Sequence, residues 1–206
     1  RILDENGAIN GQDIVLTIDR DLQNSVHQIM NNNVGAATVM NVQNGEILAM
    51  CSTPSFDSNK FINGFSYKEW DEISKNERKP FLNKAINGEY PPGSTFKIVT
   101  ALAGLEEGIL DPEETIICEG KTKYGRRNFH CWRDKGHKIV NLRKAIKESC
   151  DVYFYNLAQR LGIEKITNMA LRLGFGKNFD LISNSERDGL IPTKRWIENN
   201  LNNDWS

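Results

Sequence analysis

The chain has 206 residues, with 39% hydrophobic content and 26 basic against 27 acidic side chains, enough for one sizeable core and almost no net charge. The lack of a basic surplus excludes a phosphate-neutralising nucleic-acid binder. No run approaches the ~18 consecutive apolar residues of a transmembrane helix, and no signal-peptide core is present.

Residues 14–18 run apolar like a strand, and Asp19 then offers an N-cap to a helix whose Leu22, Val26, Ile29 and Met30 recur at helical spacing. Residues 36–42, the turn Gln43-Asn44-Gly45 and residues 46–51 predict a hairpin, the start of a central antiparallel sheet. Residues 52–80 are polar, with Pro54, Asp57, Ser58 and Asn63-Gly64, and read as a surface loop carrying one short helix around 67–74. The series Phe96, Val99, Ala103 with Leu102 and Leu105 gives a helix over 94–108 a buried side, with Gly108 as its stop. A long irregular segment follows from about 110 to 137, then helices flanking Ser149. Gly162, Gly174 and Gly176 punctuate two more amphipathic stretches, one over 163–173. Repeats and low-complexity tracts are absent.

Chemistry concentrates at Ser94-Thr95-Phe96-Lys97, directly after Tyr90-Pro91-Pro92-Gly93. Pro-Gly turns the chain just before Ser94, and residues three apart on a helix share a face. A hydroxyl at a helix N-terminus sits where unpaired N–H groups favour developing negative charge. A desolvated Lys97 on the same face could take the hydroxyl proton. The pattern S-x-x-K by itself equally describes a helix cap followed by a solvated lysine. What separates the two is the triplet Ser149-Cys150-Asp151, 55 residues downstream between two helical-looking segments.

S-x-x-K followed by S-x-N or S-D-N is the signature of penicillin-binding proteins and serine β-lactamases. The run Asn87-Gly88-Glu89-Tyr90-Pro91-Pro92-Gly93-Ser94-Thr95-Phe96-Lys97 resembles the active-serine segment of class B penicillin-binding proteins. The stretches 15–19 with Leu22-Gln23, 44–50 and 189–193 resemble that family too, so the likeness covers nearly the whole chain. Asp151 and the insert before it resemble the elongation-type branch found in rod-shaped bacteria.

The resemblance implies an α+β fold of the penicillin-binding protein/serine β-lactamase type, an antiparallel sheet flanked by helices. Residues 1–206 would form the N-terminal portion of a single transpeptidase domain, its pieces being 14–51, the active-serine helix 94–108, and the 110–160 segment. Two departures stand out. Asp151 places a carboxylate where the family usually has an amide. The family's Lys-Thr-Gly or Lys-Ser-Gly edge strand is absent, and Lys121-Thr122-Lys123 lacks the glycine that lets substrate backbone approach. The chain therefore reads as a truncated or incompletely ordered transpeptidase domain with its C-terminal part missing. Such a piece is expected to acylate slowly or not at all.

Cys118, Cys131, His137 and Cys150 are separated by 12, 5 and 12 residues, and take three of the four cysteines and one of the three histidines. The resemblance places the chain outside the cytoplasmic membrane, where free thiols oxidise and cysteines are usually paired or metal-bound. A Cys118–Cys131 disulfide closes a short loop but leaves Cys150 unpaired. A tetrahedral Cys₃His zinc site uses all four side chains, and being closed it is structural. Some elongation-type members carry a metal site at matching positions, with carboxylates for some thiols. His130 is the rival ligand. His137 is preferred, because Gly136 lets the backbone turn and adjacent residues rarely ligate one ion. His27 reads as structural or solvated, and Cys51 as a small buried hydrophobe.

The implied function is peptidoglycan D,D-transpeptidation. Ser94 is the nucleophile, Lys97 its base, Ser149 the proton relay to the leaving amine, and Asp151 holds the donor's peptide amide or the loop itself. The implied partners are stem peptides, β-lactams, a membrane-embedded glycan polymerase and elongation-complex proteins, at the periplasmic face of the bacterial inner membrane through an anchor upstream of Arg1. A serine β-lactamase, separated by hydrolytic turnover of penicillin, and a non-catalytic cell-wall scaffold are the alternatives. A Lys-[Ser/Thr]-Gly one subdomain beyond Ser206 distinguishes the enzyme from the scaffold.

Overall fold

Asp19 caps the first helix of the computed structural model, which describes residues 10–179 and 186–200. Its carboxylate accepts the Leu22 N–H at 2.8 Å at the start of α1 (Arg20–Met30), so the predicted cap and helix are both present. Residues 14–18 are not a strand. Only the Thr17 hydroxyl and the Asp19 N–H reach the neighbouring strand, at the Ile47 and Leu48 carbonyls, and Ile14, Val15 and Leu16 are exposed. An apolar run without a hydrogen-bonded ladder has nothing to hold it as a strand.

The predicted hairpin forms from β1 (Gly35–Met40) and β2 (Ile47–Thr53), antiparallel, with an irregularity at Val39/Met40. The polar loop contains the expected helix, α3 (Tyr67–Ser74), fixed by a capping box between Ser66 and Glu69. A shorter helix, α2 (Lys60–Asn63), was not evident from its four residues.

Two compact units divide the chain, Arg1–Gly88 and Glu89–Ser206, and all the predicted site residues belong to the second. There Gly93–Phe96 forms a 3₁₀ turn that runs into α4 (Lys97–Glu106). Ser94 therefore lies in the tighter turn and the regular α-helix begins at Lys97. Gly108 follows the helix at φ 63, the left-handed conformation that ends helices. Val99, Thr100, Ala101, Ala103 and Gly104 are the buried face. Leu102 and Leu105, expected inside, are 39% and 40% exposed, because the face is centred on the small residues that let α6 (Asp151–Leu161) and α7 (Ile163–Arg172) approach. Gly104 shows this directly for α6, since a Cβ there would meet Leu157 at 3.1 Å.

The segment read as irregular holds three short strands, β3 (Ile116–Cys118), β4 (Lys121–Tyr124) and β5 (Arg127–His130), and a fourth, β6 (Lys138–Val140), follows it directly. β3 pairs antiparallel with β6, setting Cys118 opposite Lys138, and β4 pairs with β5 around the turn Gly125-Arg126. Next come α5 (Leu142–Lys147), capped by the Asn141 side chain, α6 (Asp151–Leu161), α7 (Ile163–Arg172) and α8 (Lys194–Asn200). The core joins Val99, Ala101 and Ala103 of α4 to Val152, Tyr153, Phe154, Leu157 and Leu161 of α6, with Val140, Leu142 and Ala145 beside them and three cysteines, 118, 131 and 150, inside it.

Gly136 is decisive where the loop before β6 passes the end of β3. Its φ is +67, and a Cβ would lie 1.9 Å from the Cys118 carbonyl oxygen. Gly136→Ala is expected to cost about 3 kcal/mol or more by chemical denaturation, against about 1 kcal/mol for Gly108→Ala, where φ is also positive but space is open. Equal losses for the two would remove close packing at Gly136 as the cause.

Candidate active site and metal centre

Ser94 and Lys97 arrive from the 3₁₀ turn and the first turn of α4, and Ser149 and Asp151 from the turn between α5 and α6. The packing of α4 on α6 brings them together. Ser149 Oγ donates to Ser94 Oγ at 2.8 Å. Lys97 Nζ donates to Ser149 Oγ at 2.9 Å, to the Ser149 carbonyl at 2.9 Å and to Asp151 Oδ1 at 2.6 Å. Three acceptors match the three donors of an ammonium. The Lys97–Asp151 pair is mostly buried, at 14% and 22% side-chain exposure, and the Phe154 ring lies 5.7 Å from Nζ. No direct hydrogen bond joins Lys97 to Ser94, so the expected base contact runs through Ser149.

The turn is strained and pinned. Ser149 has φ 53, unusual for a residue with a Cβ. Its N–H donates to the Ile146 carbonyl at 3.2 Å and that of Cys150 to the Ala145 carbonyl at 2.9 Å, tying both to α5.

Two residues that the sequence reading passed over complete the arrangement. The Trp132 backbone N–H donates to Asp151 Oδ2 at 2.9 Å, and its indole Nε1–H donates to the Glu148 carbonyl at 2.9 Å. Trp132 thus straps the chain after Cys131 onto the turn that carries Ser149. Its main contact is a backbone N–H, which side-chain identity does not announce; adjacency to Cys131 was the only clue. Both Asp151 oxygens are therefore engaged within the protein, on the loop and on Lys97.

Beside this turn, Cys118, Cys131, His137 and Cys150 converge. All four are buried, and their ligand atoms lie within 4.8 Å of one another. His137 Nδ1 stands 3.7 Å from Cys118 Sγ and 3.4 Å from Cys131 Sγ. A zinc tetrahedron with Zn–S of about 2.3 Å and Zn–N of about 2.0 Å has S···N edges of about 3.5 Å, so the donor set fits the ion. All four cysteines are free thiols. His130 lies exposed on β5, while His137 takes the inward position beside Gly136. His27 is exposed in the last turn of α1, and Cys51 is buried in β2.

The thiols differ electrostatically. Burial pushes Cys150 up to about 12, against an opposing N–H from Tyr153 and with help from the Cys118 and Cys131 sulfurs. Burial also acts upward on Cys131, but the N–H groups of Arg133, Val152 and Asp151 and the Cys118 thiol outweigh it, and Cys131 is lowered. Two of those N–H groups are the first amides of α6, the positive end of a helix dipole.

A family profile described as the penicillin binding protein transpeptidase domain matches residues 35–203. The chain belongs to this family. Peptidoglycan D,D-transpeptidase MrdA of Acinetobacter baumannii is 36% identical over 207 residues, 100% of this chain and 31% of that relative. Penicillin-binding protein 3 of Bacillus subtilis is 32% identical over 182 residues, covering 86% of this chain and 27% of its own. Among solved structures, Pseudomonas aeruginosa PBP2 in complex with WCK 5153 superposes with a TM-score of 0.90 at 36% identity, covering 96% of this chain and 46% of that one. PBP2 of Helicobacter pylori in complex with MreC gives 0.86 at 34% identity, covering 92% and 36%. The chain thus spans about a third of the length of the curated relatives it matches. The transpeptidase fold, α+β with antiparallel strands, is the one that the resemblance implied.

Lys97 Nζ and the Trp132 N–H are both donors, so position 151 requires two acceptor atoms. A carboxylate supplies them; an asparagine supplies one and turns an NH₂ toward the other donor. Asp151→Asn is expected to lower stability by about 1–2 kcal/mol in chemical denaturation, despite its near-identical shape. An unchanged midpoint would show that one of the two bonds contributes nothing.

Proposed function

We propose that this chain carries the acylating centre of a peptidoglycan D,D-transpeptidase. The observation supporting this most strongly is the unbroken hydrogen-bonded path from Ser94 through Ser149 to Lys97 and Asp151. Ser94 Oγ attacks the carbonyl carbon of the penultimate D-alanine of a stem peptide. An ester forms, the C–N bond to the terminal D-alanine breaks, and the leaving amine takes up a proton.

The proton leaving Ser94 and the proton reaching the amine share one short route, because Ser149 Oγ touches both Ser94 Oγ and Lys97 Nζ. Ser149 is thereby the relay and Lys97 the proton reservoir behind it. Asp151 positions Lys97. Negative charge on the attacked carbonyl develops beside the amides that open the 3₁₀ turn and α4, where the helix end favours it. The amine of a second stem peptide then attacks the ester, makes the cross-link and returns the hydroxyl of Ser94. A β-lactam, whose ring amide mimics D-alanyl-D-alanine, acylates the same oxygen.

The intact protein works on the cell-wall side of the bacterial inner membrane, with elongation-complex proteins and a glycan polymerase as partners. The H. pylori relative solved in complex with MreC supports that partnership. No helix among the described residues is long and apolar enough to cross a membrane.

Zinc is the proposed resident metal, held by Cys118, Cys131, His137 and Cys150. The donor set, its burial and the spacing of His137 Nδ1 from two sulfurs support this reading. Four protein ligands leave no open coordination position, so the ion would supply cross-linking alone. The consequence for the chain lies in Cys150, flanked by Ser149 and Asp151. Fixing its sulfur fixes how both neighbours face Lys97.

Ser94→Ala in the intact protein is expected to abolish labelling by a fluorescent penicillin; surviving label means another nucleophile. Stripping metal from protein shown by elemental analysis to be loaded is expected to lower the melting temperature by at least about 5 °C and to slow acylation. Superimposable melting curves of loaded and stripped protein would sink the metal reading while leaving the Ser94 assignment standing.

A further inference from the structure

His137 presents Nδ1 to the sulfurs, which leaves Nε2 as the N–H of a neutral ring. The side chain is fully buried, and Nε2 has no hydrogen-bond partner. The nearest carboxylate oxygen, Glu148 Oε2, is also buried and also without a hydrogen bond, 3.9 Å away. Two polar atoms without hydrogen-bond partners in the same dry space, one a donor and one an acceptor, are complementary. A hydrogen bond of ordinary length needs them to close by roughly 1 Å.

Other contacts agree with that pairing. Glu148 caps the C-terminus of α5, with its carbonyl held by the Trp132 indole. The Trp132 ring packs edge-on against His137 at 5.3 Å between centroids. Lys144 Nζ holds the His137 carbonyl at 2.8 Å, fixing the backbone from the other side. Arg133 Nη1 lies 3.6 Å from the same Glu148 oxygen, on the solvent side, and offers the carboxylate its remaining charge partner.

We propose that Glu148 is a positioning residue of the metal centre: its carboxylate accepts the His137 Nε2–H and so fixes the imidazole with Nδ1 facing Cys118 and Cys131. A ligating histidine is commonly oriented through its second nitrogen in this way, and loss of such a partner typically weakens metal binding 10–100-fold. The assignment rests on the zinc reading above and adds a residue outside the ligand set. It also gives the three residues 148, 149 and 150 separate duties: holding the histidine, contacting Ser94, and offering a sulfur.

The test is zinc retention by the intact protein, titrated against a chromophoric chelator, for wild type, Glu148→Gln and Glu148→Ala. Gln keeps a carbonyl oxygen at the same reach, so it is expected to hold zinc within about threefold of wild type, while Ala releases it 10–100-fold more readily. Metal-free melting curves of the three are expected to coincide, which a merely structural role for Glu148 would not allow. Should the Ala variant fail to fold, Glu148→Met has nearly the same volume and no oxygen acceptor and takes its place. Equal retention by wild type and Ala overturns the Glu148 assignment alone, as does equal loss in Gln and Ala. Wild-type protein that takes up no zinc overturns the metal reading and this assignment with it.

Discussion

The carboxylate of Asp151 is the point at which three separate pieces of chain are joined. It begins α6, binds the amine of Lys97 on α4 and accepts the backbone N–H of Trp132 from the loop after β5. Both bonds are charge-assisted on the acceptor side, the stronger kind, and the one to Lys97 is largely shielded from water. Each partner alone would tolerate an amide. Together they require a carboxylate, which accounts physically for aspartate in a triplet where an asparagine is usual. Of the two duties expected of this side chain, holding the donor's peptide amide or holding the loop, the contacts here are those of the second.

That junction also explains how a strained turn persists. A left-handed serine costs roughly 1–2 kcal/mol relative to an ordinary conformation, and such strain survives only when neighbours over-determine it. Ser149 receives two hydrogen bonds from Lys97, its own N–H and that of Cys150 are taken by α5, and the carbonyl before it is held by Trp132. The conformation sends consecutive side chains in different directions. Glu148 goes toward His137, Ser149 toward Ser94, and Cys150 into the sulfur cluster. A relaxed helical turn would place residues one apart about 100° around an axis and could not aim them so independently.

The sequence was most legible where local chemistry decides the outcome. The Asp19 cap, the 43–45 hairpin turn and the 67–74 helix are all short-range, and their residues announce them. The strands β3 to β6 were missed because they are only three or four residues long, so alternation has no length in which to show. Residues 14–18 failed in the opposite sense, since an apolar run tells nothing of which backbone groups will find partners. In the site, Ser94, Lys97, Ser149 and Asp151 were recoverable from motif spacing and the four sulfur and imidazole donors from clustering. Trp132 and Glu148 were not, because one acts largely through its backbone and the other faces its partner only after α5 has ended.

The contrast between a disulfide and a metal at the cysteine cluster bears on why the two centres adjoin. A Cys118–Cys131 bond would join β3 to the loop after β5 and leave Cys150 outside the link, so the turn would be anchored through Asp151 and Trp132 alone. A tetrahedral ion takes Cys150 as well. The Ser149 turn is then held on both flanks, by sulfur at 150 and by carboxylate at 151, and the loop supplying Cys131 also supplies the Trp132 N–H that Asp151 accepts. Displacing Cys131 therefore displaces an acceptor's partner one residue away, and through that carboxylate the amine of Lys97. On the zinc reading, the ion acts on the chemistry through this chain of short contacts, from Cys131 to Trp132 to Asp151 to Lys97, without approaching the substrate.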